Sequence, residues 1–175
     1  MPEEVELVRR AVRREAEAFA RLYELHLDEV FRYVYYKIGD TAEAEDLTEQ
    51  VFLKAWESID RFQWRGTPFR AWLLRLAHNL VVDRWRGRRE TQSLNDVQSA
   101  PGPGPEGQAY KTLEVQELRQ ALCSLSAEQQ QVIILRFVED LSYQEIASIM
   151  GKSEGALRVI QHRALVNLRK AMAAS

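Results

Sequence analysis

The chain has 175 residues, 46% of them hydrophobic and 29% charged, with a formal net charge of −2, the balance of a soluble globular protein of one medium or two small domains. No apolar run reaches the roughly eighteen residues of a membrane span, so no membrane insertion is expected, and the charged start MPEEVELVRRAVRREAEAF lacks a signal-peptide core. The single cysteine, Cys123, excludes an internal disulfide; its apolar helical context predicts a buried structural thiol and a reducing, cytoplasmic setting.

Residues 1 to about 14 read as a polar helical extension that frays. From Glu15 to Ile38 the residues Phe19, Leu22, Tyr23, Leu27, Val30, Phe31 and Val34 recur at helical spacing, which predicts one long helix or two short ones. Gly39-Asp40 ends it, and Thr41 is the expected N-cap of the next helix. That helix sets Leu47, Val51, Phe52, Ala55, Trp56 and Ile59 toward a core. Asp46, Gln50, Leu53 and Glu57 share another face. A leucine turned outward among acids is either a docking face or a merely solvated side. The carboxylates Asp40, Glu43, Glu45, Asp46 and Glu49 could in principle hold a metal. No histidine lies near them and their spacing matches no ligand set, so no metal site is expected.

Charge is distributed unevenly. Fourteen acidic residues fall between Met1 and Glu57, whereas eight arginines fall between Arg61 and Glu90, a pattern that suits two different partners. The break after Ile59 holds Phe62 and Trp64 beside Arg61 and Arg65. Exposed aromatics among arginines suit an unstacked base, which needs a π-face and cations for its phosphates. Phe62 reads as core, while Trp64 reads equally as core or as a stacking platform. Thr67 and Pro68 then suit the N-cap and first turn of a helix. Its apolar face is Phe69, Trp72, Leu73, Leu76, Leu80 and Trp85, and its other sides carry Arg70, Arg75, His78, Asn79, Arg86, Arg88 and Arg89.

Residues 91–111 lose all periodicity and hold Pro101, Pro103 and Pro105 with Gly102, Gly104 and Gly107, the composition of a flexible linker. About twenty extended residues reach at most ~70 Å, or about twenty base pairs at ~3.4 Å each. A helix follows from about Leu113 to Cys123. Ser126 with Gln129 predicts a capping box opening a helix with Val132, Ile133, Leu135 and Phe137. Ser142 with Glu145 predicts another, before a short helix closed by Gly151. Ser153 caps a last helix whose stripe is Leu157, Ile160, Ala164 and Leu168, opposite Arg158, Val159, His162, Arg163, Arg169 and Lys170. A short helix, a glycine turn and a helix with a basic outer face suit a helix-turn-helix, whose second helix enters the DNA major groove. An ordinary hairpin with a solvated basic face has the same signature.

EDLTEQVFLKAWESIDRF with PFRAWLLRLAHNLVVDRWR resembles the second conserved region of bacterial sigma factors of the extracytoplasmic-function (ECF) class. LSAEQQQVIILRFVEDLSYQEIASIMGKSEGALRVIQHRAL resembles the fourth. The resemblance implies an all-α chain of two small helical domains. Residues 1–16 would be the N-terminal extension, 17–90 region 2, 91–111 the linker and 112–175 the region 4 helix-turn-helix. It implies a factor that binds the clamp coiled coil and flap of core RNA polymerase and directs promoter-specific initiation, including melting. Asp46, Glu49, Gln50 and Leu53 would dock on the polymerase. Phe62, Trp64, Arg65, Arg75, His78, Asn79 and Arg86 would engage the minus-ten DNA, a flipped base resting against the loop. Ser153, Arg158, Val159, His162 and Arg163 would face the minus-thirty-five DNA. An anti-sigma factor is an expected further partner. Four positions depart from the usual pattern: Glu49 and Gln50 after the Asp-Leu pair, Val159 for a small polar residue, and Ile160 where many members carry arginine. No catalytic residue and no cofactor is expected, because His26, His78 and His162 are scattered and no nucleophile–base pair is evident. A stand-alone helix-turn-helix regulator would leave the aromatic loop and acidic helix idle, and an enzyme built on the carboxylates has no other support in the sequence.

Overall fold

The computed structural model describes residues 2–64, 67–92 and 112–174, and these form eight α-helices and no strand. The first domain contains α1 (Pro2–Val12), α2 (Ala16–Ile38), α3 (Thr41–Ser58), a 3₁₀ turn (Ile59–Arg61) and α4 (Phe69–Gln92). The second contains α5 (Leu113–Cys123), α6 (Ala127–Ile133), α7 (Tyr143–Met150) and α8 (Glu154–Ala173). The all-α, two-domain expectation holds. The Pro/Gly stretch lies outside the described residues.

Each helix starts and stops for a local reason. Gly39 takes φ +84° and donates its N–H to the Tyr35 carbonyl, ending α2 in the left-handed conformation that glycine adopts without strain. Asp40, not Thr41, caps α3: its carboxylate accepts from the Ala42 and Glu43 amides, satisfying donors the first turn leaves free. Thr41 is buried inside the first turn. α4 begins at Phe69, with the Pro68 carbonyl accepting from the Trp72 amide.

One apolar cluster runs through both domains, and its part in the first gathers Leu22, Val30, Leu47, Val51, Ala55, Phe69, Leu73 and Leu74 from α2, α3 and α4. Helix α1 belongs to it rather than fraying. Leu7, Val8 and Ala11 are buried, and Arg14 donates to the Trp56 and Glu57 carbonyls at the end of α3. A narrow stripe of small apolar residues suffices because α2 supplies the facing surface.

In the second domain Ser126 caps α6 through the Gln129 amide, but the box is not reciprocal. The Gln129 side chain instead accepts from Asn167 of α8. After α6 the backbone widens over Ile134–Val138, with the Glu139 amide reaching the Ile134 carbonyl five residues back. This single wide turn buries Ile134 and Leu135 and leaves Phe137 53% exposed, where the sequence reads as a continuous helix. Cys123 is also exposed, not buried.

The two domains pack on each other. Arg32 donates twice to Glu139, at 3.0 and 2.9 Å. Arg70 donates twice to Glu145, at 2.7 and 2.8 Å. The buried Tyr33 hydroxyl donates to Gln131 at 2.8 Å, and Gln116 donates to the Tyr35 hydroxyl at 3.0 Å. The end of α2 is consequently buried on all sides from Tyr33 to Lys37.

Candidate nucleic-acid interface

The helix-turn-helix is held by caps at each corner. Ser142 and Glu145 form the reciprocal capping box of α7, and Gly151 ends α7 at φ +68°. Ser153 accepts from the Ala156 amide to start α8. Ser153 therefore spends its side chain on the cap. Leu157 and Ala164 are buried and fix which side of α8 faces inward. Arg158, Val159, His162 and Arg163 are exposed on the other side, as the period predicts. Two residues that the sequence reading passed over lie behind this face. The Arg158 guanidinium sits 4.7 Å from the centre of the Tyr143 ring, and that of Arg136 sits 4.6 Å from it.

The aromatic loop divides into a packed residue and an available one. Phe62 is 7% exposed, its ring 5.6 Å from Phe69, 5.2 Å from Trp72 and 5.3 Å from Trp64. Its faces are occupied, so it supports the loop and does not offer a stacking surface. Trp64 meets Phe62 edge-on and stays 44% exposed. Arg65, expected beside it, lies outside the described residues.

On α4, Arg75, Asn79 and Arg86 are exposed, and their spacings of four and seven put them on one helical face. Half-buried His78 lies 3.4 Å from the Tyr33 hydroxyl. Burial, then the nearby Lys37 charge, holds its imidazole below the usual range. His78, Asn79 and Arg86 meet Lys54 of α3 around a cavity of about 500 Å³. His78 and Arg86 also line a cavity of about 370 Å³ shared with Glu128, Gln131, Met150 and Lys152 of the second domain.

Asp46, Glu49, Gln50 and Leu53 are all exposed along α3, Leu53 at 59%. Asp46 accepts from both Gln50 and Arg84 at 2.9 Å, which steadies it on the helix. Arg84 also reaches Glu43, so this arginine ties α4 to α3. Beside Glu49 a cleft of about 420 Å³ opens between α2 and α3, lined by Tyr23, Leu27, Phe31, Asp28 and Glu45. Acidic rims around an apolar floor suit a basic, partly apolar helix. The carboxylates at the start of α3 are engaged as a helix cap (Asp40) and as partners of Arg84 (Glu43 and Asp46). No helix among the described residues is long and apolar enough to cross a membrane.

Comparison with known proteins places both parts of the chain in one family. Sigma-70 region 2 matches residues 22–91, and sigma-70 region 4 matches residues 121–170. The chain is 40% identical over 174 residues to the ECF RNA polymerase sigma factor BldN of Streptomyces coelicolor, covering 95% of this chain and 64% of BldN. It is 30% identical over 168 residues to the ECF RNA polymerase sigma factor SigX of Bacillus subtilis, covering 89% of this chain and 84% of SigX. The sigma factor RpoE of Bartonella quintana, solved in complex with the anti-sigma factor NepR, superposes with a TM-score of 0.75 at 28% identity, covering 90% of this chain and 98% of RpoE. With both conserved regions matched in order, the chain belongs to the extracytoplasmic-function class of sigma-70 family RNA polymerase sigma factors.

Proposed function

We propose that this chain binds core RNA polymerase in the cytoplasm and directs it to promoters that it contacts at two places. In this reading residues 17–90 dock on the polymerase and open the minus-ten DNA, and residues 112–175 read the minus-thirty-five DNA. The observation that carries it is the division of α8: Leu157 and Ala164 are buried while Arg158, Val159, His162 and Arg163 are exposed. A groove-reading helix needs that arrangement. The exposed row Asp46, Glu49, Gln50 and Leu53 supports polymerase docking, because an apolar residue 59% exposed among acids gives a partner something to bury. Exposed Trp64 supports capture of an unstacked base, with Arg75, Asn79 and Arg86 on the adjoining helix to hold the strand. An anti-sigma partner is supported by the structural match to RpoE, which was solved bound to NepR.

Run-off transcription tests the whole reading. Core polymerase with this chain should start transcripts from a subset of a promoter library, and core polymerase alone should not. Leu53→Asp should abolish those transcripts by preventing assembly with the core enzyme, seen as loss of co-elution. A chain that never joins the core enzyme, or that starts no transcript from any template, would overturn the proposal.

A further inference from the structure

We propose that Tyr143 is a positioning residue for upstream promoter reading: its ring holds Arg158, and its hydroxyl holds Gln161 one turn further along α8. The inference rests on the reading of Arg158 as a groove-facing residue given above. It goes beyond that reading by assigning a role to a residue on the other helix of the motif.

The geometry is specific. Tyr143 is the first residue of α7, directly after the Ser142 cap. Its hydroxyl donates to Gln161 Oε1 at 2.8 Å. Its ring lies 4.7 Å from the Arg158 guanidinium carbon. Gln161 and Arg158 are three residues apart, so they share one side of α8. One side chain of α7 therefore fastens two successive turns of α8. Arg136 reinforces the ring from the preceding segment. Its guanidinium sits 4.6 Å from the ring centre and donates to the Leu141 carbonyl at 2.7 Å, so it cannot follow Arg158 outward. The capping box and the left-handed Gly151 fix α7 itself.

The consequence concerns Arg158. An exposed arginine gives up much side-chain freedom when it forms a forked pair with a guanine edge. A ring that already holds the guanidinium removes part of that loss before DNA arrives. The electron-rich ring face attracts the cation without occupying its N–H donors, so those donors remain available to a base.

The test uses the full chain with core polymerase on promoters differing by single base pairs in the upstream element. Arg158→Ala should reduce discrimination at one position by about tenfold. Tyr143→Leu should produce the same loss at the same position, Tyr143→Phe should keep most of it, and the double variant Tyr143→Leu/Arg158→Ala should lose no more than Arg158→Ala alone. Tyr143→Leu keeping the wild-type base preference, while Arg158→Ala loses it, would overturn the role of Tyr143 and leave the role of Arg158 standing. An unchanged preference in Arg158→Ala would overturn both. If Tyr143→Leu does not fold, the wild-type chain still decides the matter. The Arg158 side-chain Nε–H resonance should show an upfield ring-current shift in the free protein, and an unshifted resonance would refute the stack.

Discussion

Phe62 and Trp64 stand two residues apart in one short break, and they do opposite things. Phe62 is enclosed by Phe69, Trp72 and Trp64, so Phe62→Ala should leave a cavity and cost about 3–5 kcal/mol of stability. Trp64 buries only about half of its surface, so Trp64→Ala should cost less, about 1–2 kcal/mol on the area that it still covers. Its effect should appear in function instead: slower promoter opening with initial binding intact. Urea denaturation measures the first pair of numbers and permanganate footprinting of melted DNA the second. A Trp64→Ala chain as unstable as Phe62→Ala would make both residues structural. The sequence alone separated the two only weakly, because a polar break surrounds both rings. What decides between them is the placement of Phe69 and Trp72 on the first turn of α4, and that is tertiary information. Cys123 misled for the converse reason: it sits in an apolar-periodic stretch, yet it falls on the outer side of α5. The exposed basic face of α8 was legible because period, cap and charge all agree there.

Helix α1 shows what one buried histidine can do for an element. His26 of α2 lies 2.6 Å from a Glu4 oxygen through Nε2 and 3.1 Å from a Glu29 oxygen through Nδ1. Burial alone would lower its pKa, but the hydrogen bonds to Glu29 and Glu4 outweigh it and push the imidazole up to about 9. Glu4 is held below the usual carboxylate range, first by its hydrogen bond to His26. A histidine raised in the folded state stabilises fully below its unfolded pKa near 6.5. That stabilisation is lost as pH climbs through about 9. Across pH 6.5 to 9 the fold as a whole should lose on the order of 3 kcal/mol, and the attachment of α1 should weaken by the part owed to Glu4, since Glu29 lies on α2 with His26 and stays beside it when α1 detaches. Amide hydrogen exchange at Leu7 and Val8, after correction for the intrinsic pH dependence of exchange, should speed up over this window in the wild-type chain. It should not do so in His26→Gln. An identical pH profile in the two chains would show that Leu7, Val8 and Ala11 hold α1 without help. Sequence pattern located α1 as a helix but not its attachment. The apolar stripe is only three residues wide, and a lone histidine does not announce two carboxylate partners.

The arrangement of the two domains is the part of the molecule least visible in the sequence. Arg32 and Glu139 are 107 positions apart, and Arg70 and Glu145 are 75 apart. Arg70 reads as lying on an outer side of its helix and Glu145 as half of a capping box, and nothing in the sequence marks Arg32 and Glu139 as a second pair. One trace was present: Tyr33-Val34-Tyr35-Tyr36 is apolar around the whole helix, which a helix covered on one side only does not require. The structure covers the other side with α6 and the wide turn after it. The contact also closes over Lys37, whose amine burial alone pushes down to about 7 while its Nζ rests against the Tyr33 and Trp85 rings. Since His78 and Arg86 face the second domain across a shared cavity, any use of that side of α4 by DNA must compete with this packing. The forked ion pairs are the obvious restraint. The Glu139 side chain is fully buried, and burial carries its carboxyl up to about 7 even though Arg32 donates two bonds to it. Without Arg32 that carboxyl is left in an apolar site with no compensating donor from α2. It can then enter the packed state only by taking up a proton, which limits the loss to about 2–3 kcal/mol, below that of a bare buried charge. Arg70→Ala should cost less, about 1–2 kcal/mol, because Glu145 retains its capping bonds with Ser142. Combined, the two substitutions should shift the population toward separated domains, since each pair bridges the same interface. Spin labels on exposed Lys54 and Asn167 would report this as a longer, broader distance distribution, with Arg9→Ala, which breaks only an exposed pair within α1, as the control. An unchanged distribution in the double variant would assign the contact to Tyr33, Gln131 and the apolar residues around them, and would make the arginines bystanders to it.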